Sequence, residues 1–192
     1  MMTNDTFLDL VLAARSVRRF VEAERIPRAT LRTMIDCARR TPSAANQQPL
    51  RYRIVESRAE CDAVFPHVKW AAALINWPGP AAGERPAAYI ALLAPTDDAP
   101  AHDAGIVGMT LQLHARTFGL GACMLGSIDH TALQRVLAIP EQYTTHLLIA
   151  LGKPAETVML EPLPASGKTA YGRSPDGVHH VPKRSLDDVL IG

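Results

Sequence analysis

Tyr89-Ile90-Ala91-Leu92-Leu93-Ala94 is a continuous apolar run bounded by proline on both sides, Pro86 before it and Pro95 after it. A run without the polar alternation of a half-exposed strand predicts a strand inside a sheet rather than at its edge. The helices that would cover such a sheet have their own periodicity. Leu31, Met34, Ile35 and Ala38 recur at i, i+3, i+4 and i+7, one buried helical face, while Arg28, Arg32, Asp36 and Arg40 fall elsewhere. Ile26-Pro27 sets up that helix, since proline is tolerated in a first turn. Thr6 or Asp5 can cap a shorter helix carrying Phe7, Leu8, Leu10, Val11 and Leu12. The longest periodic segment runs from His102 to Phe118, with Ile106, Met109, Leu113 and Thr117 on one face, Gly105, Gly108 and Ala115 for close packing, and Gly119 as a stop.

Further strands are expected at Arg51 to Glu56, Ala122 to Leu125 and His146 to Leu151. Further helices are expected at Arg58 to Val64 and, capped by Asp129, at Leu133 to Ile139; Trp70 to Asn76 allows another turn before Trp77-Pro78-Gly79-Pro80 breaks it. The order predicts an α+β arrangement with a sheet under long helices. The 192 residues suit one domain, 1–192, with a Pro-, Gly- and Ser-rich tail over 155–192. Only Leu186 to Ile191 in that irregular tail is apolar enough to dock, and a partner subunit is a natural surface for it.

Twenty Lys+Arg against 19 Asp+Glu leave no basic excess that would call for nucleic acid or an anionic membrane surface. No apolar run reaches the length of a membrane span, and Met1-Met2-Thr3-Asn4-Asp5 does not read as a secretory leader. Cys37, Cys61 and Cys123 are odd in number and widely spaced, which argues against a disulfide framework or zinc site and for a reduced, cytoplasmic setting. Cys37 reads as a small core residue of its helix.

Several chemistries are disfavoured residue by residue. Gly119, Gly121 and Gly126 leave a helix and flank a strand, the reverse of the dinucleotide-binding order. A bare backbone at Gly126 would still let a planar ligand approach. His179-His180 lacks the spacing of a chelating pair and reads as a polar loop, so no metal site is expected. Ser127 lacks the nucleophile-elbow pattern. Asp97-Asp98 and Asp187-Asp188 read as a solvated loop and a helix start.

The constellation that remains is cationic and rich in amides. Arg15, Ser16 and Arg18 can neutralise a phosphate or a negative charge developing on a ring. Asn46, Gln47 and Gln48 can read the donor and acceptor edges of a heterocycle. Trp70 and Trp77 offer flat faces to a substrate. Lys183 and Arg184 add two late cations.

In four places the sequence resembles the FMN-dependent nitroreductase-like oxidoreductase family. Arg15-Ser16-Val17-Arg18-Arg19-Phe20 is similar to its N-terminal flavin-binding turn, and Ala38 to Pro49 is similar to its helix end and P-S-x-x-N-x-Q-P loop. Leu113 to Gly126 is similar to its long dimer helix and following glycine turn, and Pro182 to Val189 to its C-terminal basic segment.

The resemblance implies a nitroreductase-like α+β fold: a central, mainly antiparallel sheet flanked by helices, and a homodimer whose C-terminal tails extend onto the partner. It implies FMN at each subunit interface and hydride transfer from NADH or NADPH through flavin N5, by a ping-pong mechanism, to a small acceptor such as a nitroaromatic, quinone or activated alkene. By the same resemblance Arg15, Ser16 and Val17 lie at the phosphate turn and Arg18 at the N1/C2 edge of the ring. Pro42, Ser43, Ala44 and Asn46 come from the neighbouring subunit, Leu125 and Gly126 lie near N5, and Lys183 or Arg184 completes the phosphate site. No side chain is expected to act as a catalytic acid. Ala14 stands where the family usually carries a basic residue, and the 69–86 region is short for a helical lid. A non-catalytic flavin- or ligand-binding dimer and a flavin-dependent dehydrogenase of one specific metabolite are the alternatives.

Overall fold

The computed structural model describes residues 3–97 and 100–192. The apolar run forms β2 (Ala88–Pro95), flanked by β1 (Arg51–Val55) and β4 (Tyr143–Gly152); β3 (Gly121–Leu125) pairs with the far side of β4. All three pairings are antiparallel, in the order β1-β2-β4-β3. Alternate side chains of β2 enter two cores. Tyr89, Ala91 and Leu93 pack with Cys61 and Val64 of α3 (Arg58–Val64) and Leu133 of α5 (His130–Val136). Ile90, Leu92 and Ala94 pack with Leu31, Met34 and Ala38 of α2 (Arg28–Ala38) and Val107, Leu111 and Ala115 of α4 (Ala101–Thr117). Ile90 and Leu92 are fully buried, worth about 1.5–3 kcal/mol each, so the strand is the inner layer of a helix-sheet-helix stack.

Helix α2 buries Leu31, Met34 and Ala38 of the expected stripe and leaves Ile35 partly buried. Cys37 falls off that stripe and is exposed, so it is not a core residue. Helix α1 (Asn4–Ala13) is capped by Thr3, whose hydroxyl accepts from the Thr6 amide, rather than by Thr6 or Asp5. Its Phe7 and Leu8 are each 50% exposed. Helix α4 buries the opposite face from the one expected: Ala104, Val107, Gly108, Leu111 and Ala115 point inward, and Ile106 is exposed. A Cβ on Gly108 would lie 2.7 Å from Met124 Sδ, so the glycine lets α4 settle close to the sheet.

Two segments depart from the expectation. Residues 70–76 form irregular turns, closed by Leu74 N to Ala71 O (2.8 Å) and Trp77 N to Leu74 O (3.1 Å), and no helix. Positive φ at Ala71 and Asn76 interrupts helical geometry there. The tail is not irregular throughout: β5 (Val158–Pro162) pairs in parallel with β7 (His179–Lys183), which also pairs with β6 (Gly172–Arg173). Beyond it Leu186, Val189, Leu190 and Ile191 are exposed. Asp97 lies in an exposed turn; Asp98 and the first two methionines lie outside the described residues.

Candidate functional site

The Arg15 to Arg19 segment is laid across the end of the sheet as an extended strap. Val17 N donates to Ala122 O (3.0 Å), Val21 N to Lys153 O (2.8 Å), and Ser16 and Phe20 form bridges with Ala122 and Pro154. Two glycines paired across β3 and β4, Gly121 and Gly152, make room for it. A Cβ on Gly121 would lie 2.8 Å from Val17 Cβ, and one on Gly152 would lie 2.8 Å from Phe20 Cβ. Ala14 is buried, and its carbonyl accepts from Gln112 Nε2 (2.9 Å). The strap is fastened from the tail side by Glu156. That carboxylate, 1% exposed, accepts from the backbone amides of Arg18 and Arg19 and pairs with Arg173 Nη2 at 2.6 Å.

Arg18 is held on three sides. Its Nη1 donates to Ser16 O (3.2 Å) and lies 3.3 Å from His179 Nε2, and its Cζ stands 4.9 Å from the centroid of the Tyr171 ring. Burial first, and the Arg18 charge second, hold the His179 pKa below its ordinary value. The imidazole is therefore neutral near pH 7. A guanidinium can only donate, so Nε2 is the acceptor and the proton is assigned to Nδ1.

A cleft of about 360 Å³ opens beside Arg18. It is lined by Arg18 and Tyr171, by Lys69, Trp70, Ala71 and Ala72, and by the run from Cys123 to Ser127, including Leu125 and Gly126. Lys69 N donates to Ser127 O (2.9 Å), which ties two of these lining segments together. A Cβ on Gly126 would meet only Leu147 Cδ1, at 3.8 Å, so the protein's own packing does not demand glycine there. Trp70 is 6% exposed, with its indole against Gly79 and Phe65. Trp77 is outside the cleft lining, and the Arg173 guanidinium covers its ring at 4.6 Å.

The Pro42 to Asn46 loop lies elsewhere. Ser43 Oγ donates to Asp103 Oδ2 (2.6 Å) and Ala44 N to Asp103 Oδ1 (3.1 Å), and these bonds, the Ser43 one foremost, hold the Asp103 carboxyl below its usual range. Asp103 sits in the first turn of α4, where a helix favours negative charge. This anchor supports an unusual backbone: Ala45, Asn46 and Gln48 adopt φ of 47°, 56° and 49°, each costing roughly 1–2 kcal/mol for a residue other than glycine or asparagine. Pro42 and Ser43 line a separate groove of about 250 Å³ with Leu50, Tyr52 and Val107. The loop leads into β1 and the Cys123 to Ser127 lining continues from β3, at opposite edges of the sheet, about 14 Å apart at the usual strand spacing.

The structure therefore brings Arg18, Leu125, Gly126 and Trp70 together in one cleft and sets Pro42, Ser43, Ala44 and Asn46 apart from it. Arg15 is half-buried, with Nη1 donating to Val11 O (3.3 Å). Lys183 and Arg184 are exposed; along β7, Lys183 lies about 13 Å beyond His179. His179-His180 belongs to β7 and not to a polar loop: His179 is buried, while His180 bonds Glu161 and Ser174. Glu156, Tyr171, Arg173 and His179 are absent from the sequence reading of the site. Only the position of Glu156, a lone acid just after the last long strand, hinted at any of them. Among the described residues no group of three or more acidic, histidine or cysteine side chains is arranged for a metal ion.

A family model described as "Nitroreductase family" matches residues 11–153. A protein named "Putative NADH dehydrogenase/NAD(P)H nitroreductase" from Methanothermobacter thermautotrophicus is 26% identical over 157 residues, 78% of either chain. Among solved structures, a nitroreductase in complex with FMN from Exiguobacterium sibiricum, itself described as putative, superposes with a TM-score of 0.66 at 18% identity, covering 81% of this chain and 90% of that one. An enone reductase of gut-bacterial fatty acid saturation superposes with a TM-score of 0.65 at 22% identity, covering 81% and 91%. At these identities the superpositions establish the shared fold. With the family match spanning the sheet, the strap and the 42–46 loop, the chain belongs to the Nitroreductase family.

Proposed function

We propose that this protein is an FMN-dependent oxidoreductase that passes electrons from NADH or NADPH to a small acceptor. The observation that carries the reading is Arg18, held by Ser16 and His179 and lining a cleft that Gly126 also lines. These residues suit FMN on physical grounds. A guanidinium matches the electron-rich edge of a planar heterocycle, and a lining glycine, which carries no side chain, admits a ring close to its backbone.

Arg15, Ser16, Val17 and Arg18 with Leu125 and Gly126 would hold the cofactor from one subunit. Pro42, Ser43, Ala44 and Asn46 would reach it from the other. Their separation within one chain supports this division, because a single chain has no means of placing the loop on its own cleft. Lys183 and Arg184 are the cations proposed for the phosphate, and Trp70 lines the substrate space, whereas Trp77, stacked under Arg173, stands outside it. FMN held there would supply a hydride acceptor at N5 and a two-electron donor for a second substrate, the chemistry of a ping-pong turnover. The chain's own part is positioning and charge: Arg18, partly shielded from water, stabilises negative charge at the ring edge. Nitroaromatics, quinones and activated alkenes are the acceptors proposed. The cysteines are free thiols, which suits a reducing cytoplasm, and no helix among the described residues is long and apolar enough to cross a membrane.

The test is the absorbance of the purified protein followed by anaerobic titration with NADH and NADPH. The reading expects a flavin spectrum that bleaches; colourless protein that takes up no FMN refutes it. Arg18→Ala should weaken flavin retention or slow its reduction by about ten- to hundredfold, the effect of losing one charged hydrogen bond. Unchanged values for both would remove Arg18 from that role.

A further inference from the structure

We infer that Asp103 is a positioning residue for the flavin of the neighbouring subunit, acting through the 42–46 loop that it holds in shape. This deepens the proposed function and rests on the flavin and the dimer of that reading.

The loop needs a support that its own sequence does not supply. Ala45, Asn46 and Gln48 all adopt positive φ, and no glycine stands between Pro42 and Leu50. Side chains are crowded in that region of φ, and such backbone persists where its surroundings over-determine it, often where a ligand is clamped. Residues 44–48 are exposed, so burial of apolar side chains does not fix them.

Asp103 supplies the constraint. Its carboxylate, in a residue only 5% exposed, takes one bond on each oxygen: Oδ2 from the Ser43 hydroxyl (2.6 Å) and Oδ1 from the Ala44 amide (3.1 Å). Ser43 Oγ in turn accepts from Gln48 N (2.9 Å), which closes residues 43–48 into a ring. Within that ring Asn46 N donates to Ser43 O (2.9 Å) and Gln47 N to Ala44 O (3.0 Å). A methyl group at position 103 would accept neither bond, and the ring would lose its tie to the helix.

The support is as rigid as the helix that carries it. Ala104, Val107 and Leu111 of α4 are buried in the core, and Ala38 and Leu50, before and after the loop, belong to the same core. The loop is thus held at both ends and in the middle, with Ala44 and Asn46 left exposed to meet a ligand. Because this loop and the Arg18 cleft follow opposite edges of one chain's sheet, the flavin that depends on Asp103 is the one in the cleft of the partner subunit.

Subunit mixing tests this directly. Asp103→Ala and Arg18→Ala chains bearing different affinity tags are co-expressed, the mixed dimer is isolated through both tags, and FMN is titrated by the quenching of its fluorescence. Each variant homodimer should bind FMN at least about tenfold more weakly than wild type, the effect of losing a hydrogen bond to a charged group. In the mixed dimer both defects fall in one site and leave the other intact, so half of the sites should regain wild-type affinity. A carboxylate that served only the stability of its own chain would give no recovery, since each chain keeps its own defect. Asp103→Asn, which keeps the shape but cannot accept both bonds in the same way, replaces the alanine variant if that chain unfolds. Wild-type affinity in every folded Asp103 homodimer, or a mixed dimer with no recovered sites, overturns the assignment. A wild-type protein that takes up no FMN or stays monomeric refutes the flavin-dimer reading and the Asp103 role with it, so wild type alone tells the two failures apart.

Discussion

At the scale of single residues, the site depends on groups that fix Arg18 rather than on groups that react. His179 is the clearest case, because its neutral state is what lets it accept from Arg18 (3.3 Å). Arg18, Glu156, Arg173 and His180 all contribute to its field, with burial the leading cause of its lowered pKa. The sign of the consequence is fixed. The unfolded chain takes up a proton near the ordinary histidine pKa of about 6.5 while the folded chain does not, so the stability is whole above that pH and is lost as pH falls toward the lowered folded value. Thermal unfolding followed from pH 8 to pH 5 should show this decline in wild type. In His179→Gln, whose amide oxygen can still accept from Arg18 without titrating, that part of the decline should vanish. Equal slopes in the two proteins would contradict a neutral buried His179.

At the scale of elements, β3 and β4 serve the site by what they omit. Gly121 and Gly152 face each other, and Val17 and Phe20 occupy the space that two side chains would fill. Gly121→Ala is expected to destabilise the fold by about 1–3 kcal/mol, since Val17 is β-branched and cannot rotate away from a new methyl group. The same substitution should loosen flavin retention by displacing the strap. Denaturant unfolding and bound-flavin content check the two effects independently. This scale also shows why some elements were legible and others not. Strand β2 and helix α2 declare themselves because a local pattern coincides with burial in the chain's own core. Helix α4 carries two apolar stripes, one through Val107 and Leu111 and one through Ile106, Met109 and Leu113, and spacing alone does not tell which faces the sheet. Tyr171 and His179 were illegible for a different reason. Their places depend on β7 finding β5 and β6, a pairing between distant segments that short-range patterns do not encode. The strap and the loop were recognised as motifs, but their separation across the sheet is visible only in three dimensions.

At the scale of the whole molecule, several large apolar side chains stand outside the core. Phe7 and Leu8 of α1, Ile106 of α4, and Leu186, Val189, Leu190 and Ile191 of the tail are exposed in the single chain. A dimer that buries the tail on its partner would cover this surface and bring the partner's loop to the cleft. Sedimentation of the intact chain is expected to give a dimer, and a chain ending at Ser185 should dissociate at higher concentration and retain less flavin. A truncated chain that dimerises as tightly as the intact one would exclude the tail from the interface. The distribution of the three cysteines has a practical consequence of its own. Cys61 and Cys123 are buried and their thiols are pushed up to about 11 by that burial, whereas Cys37 is exposed on α2. At neutral pH iodoacetamide should add one mass increment to the native protein and three once it is unfolded. The chain thus carries a built-in chemical gauge of its own integrity, by which any variant above can be judged folded before its chemistry is measured.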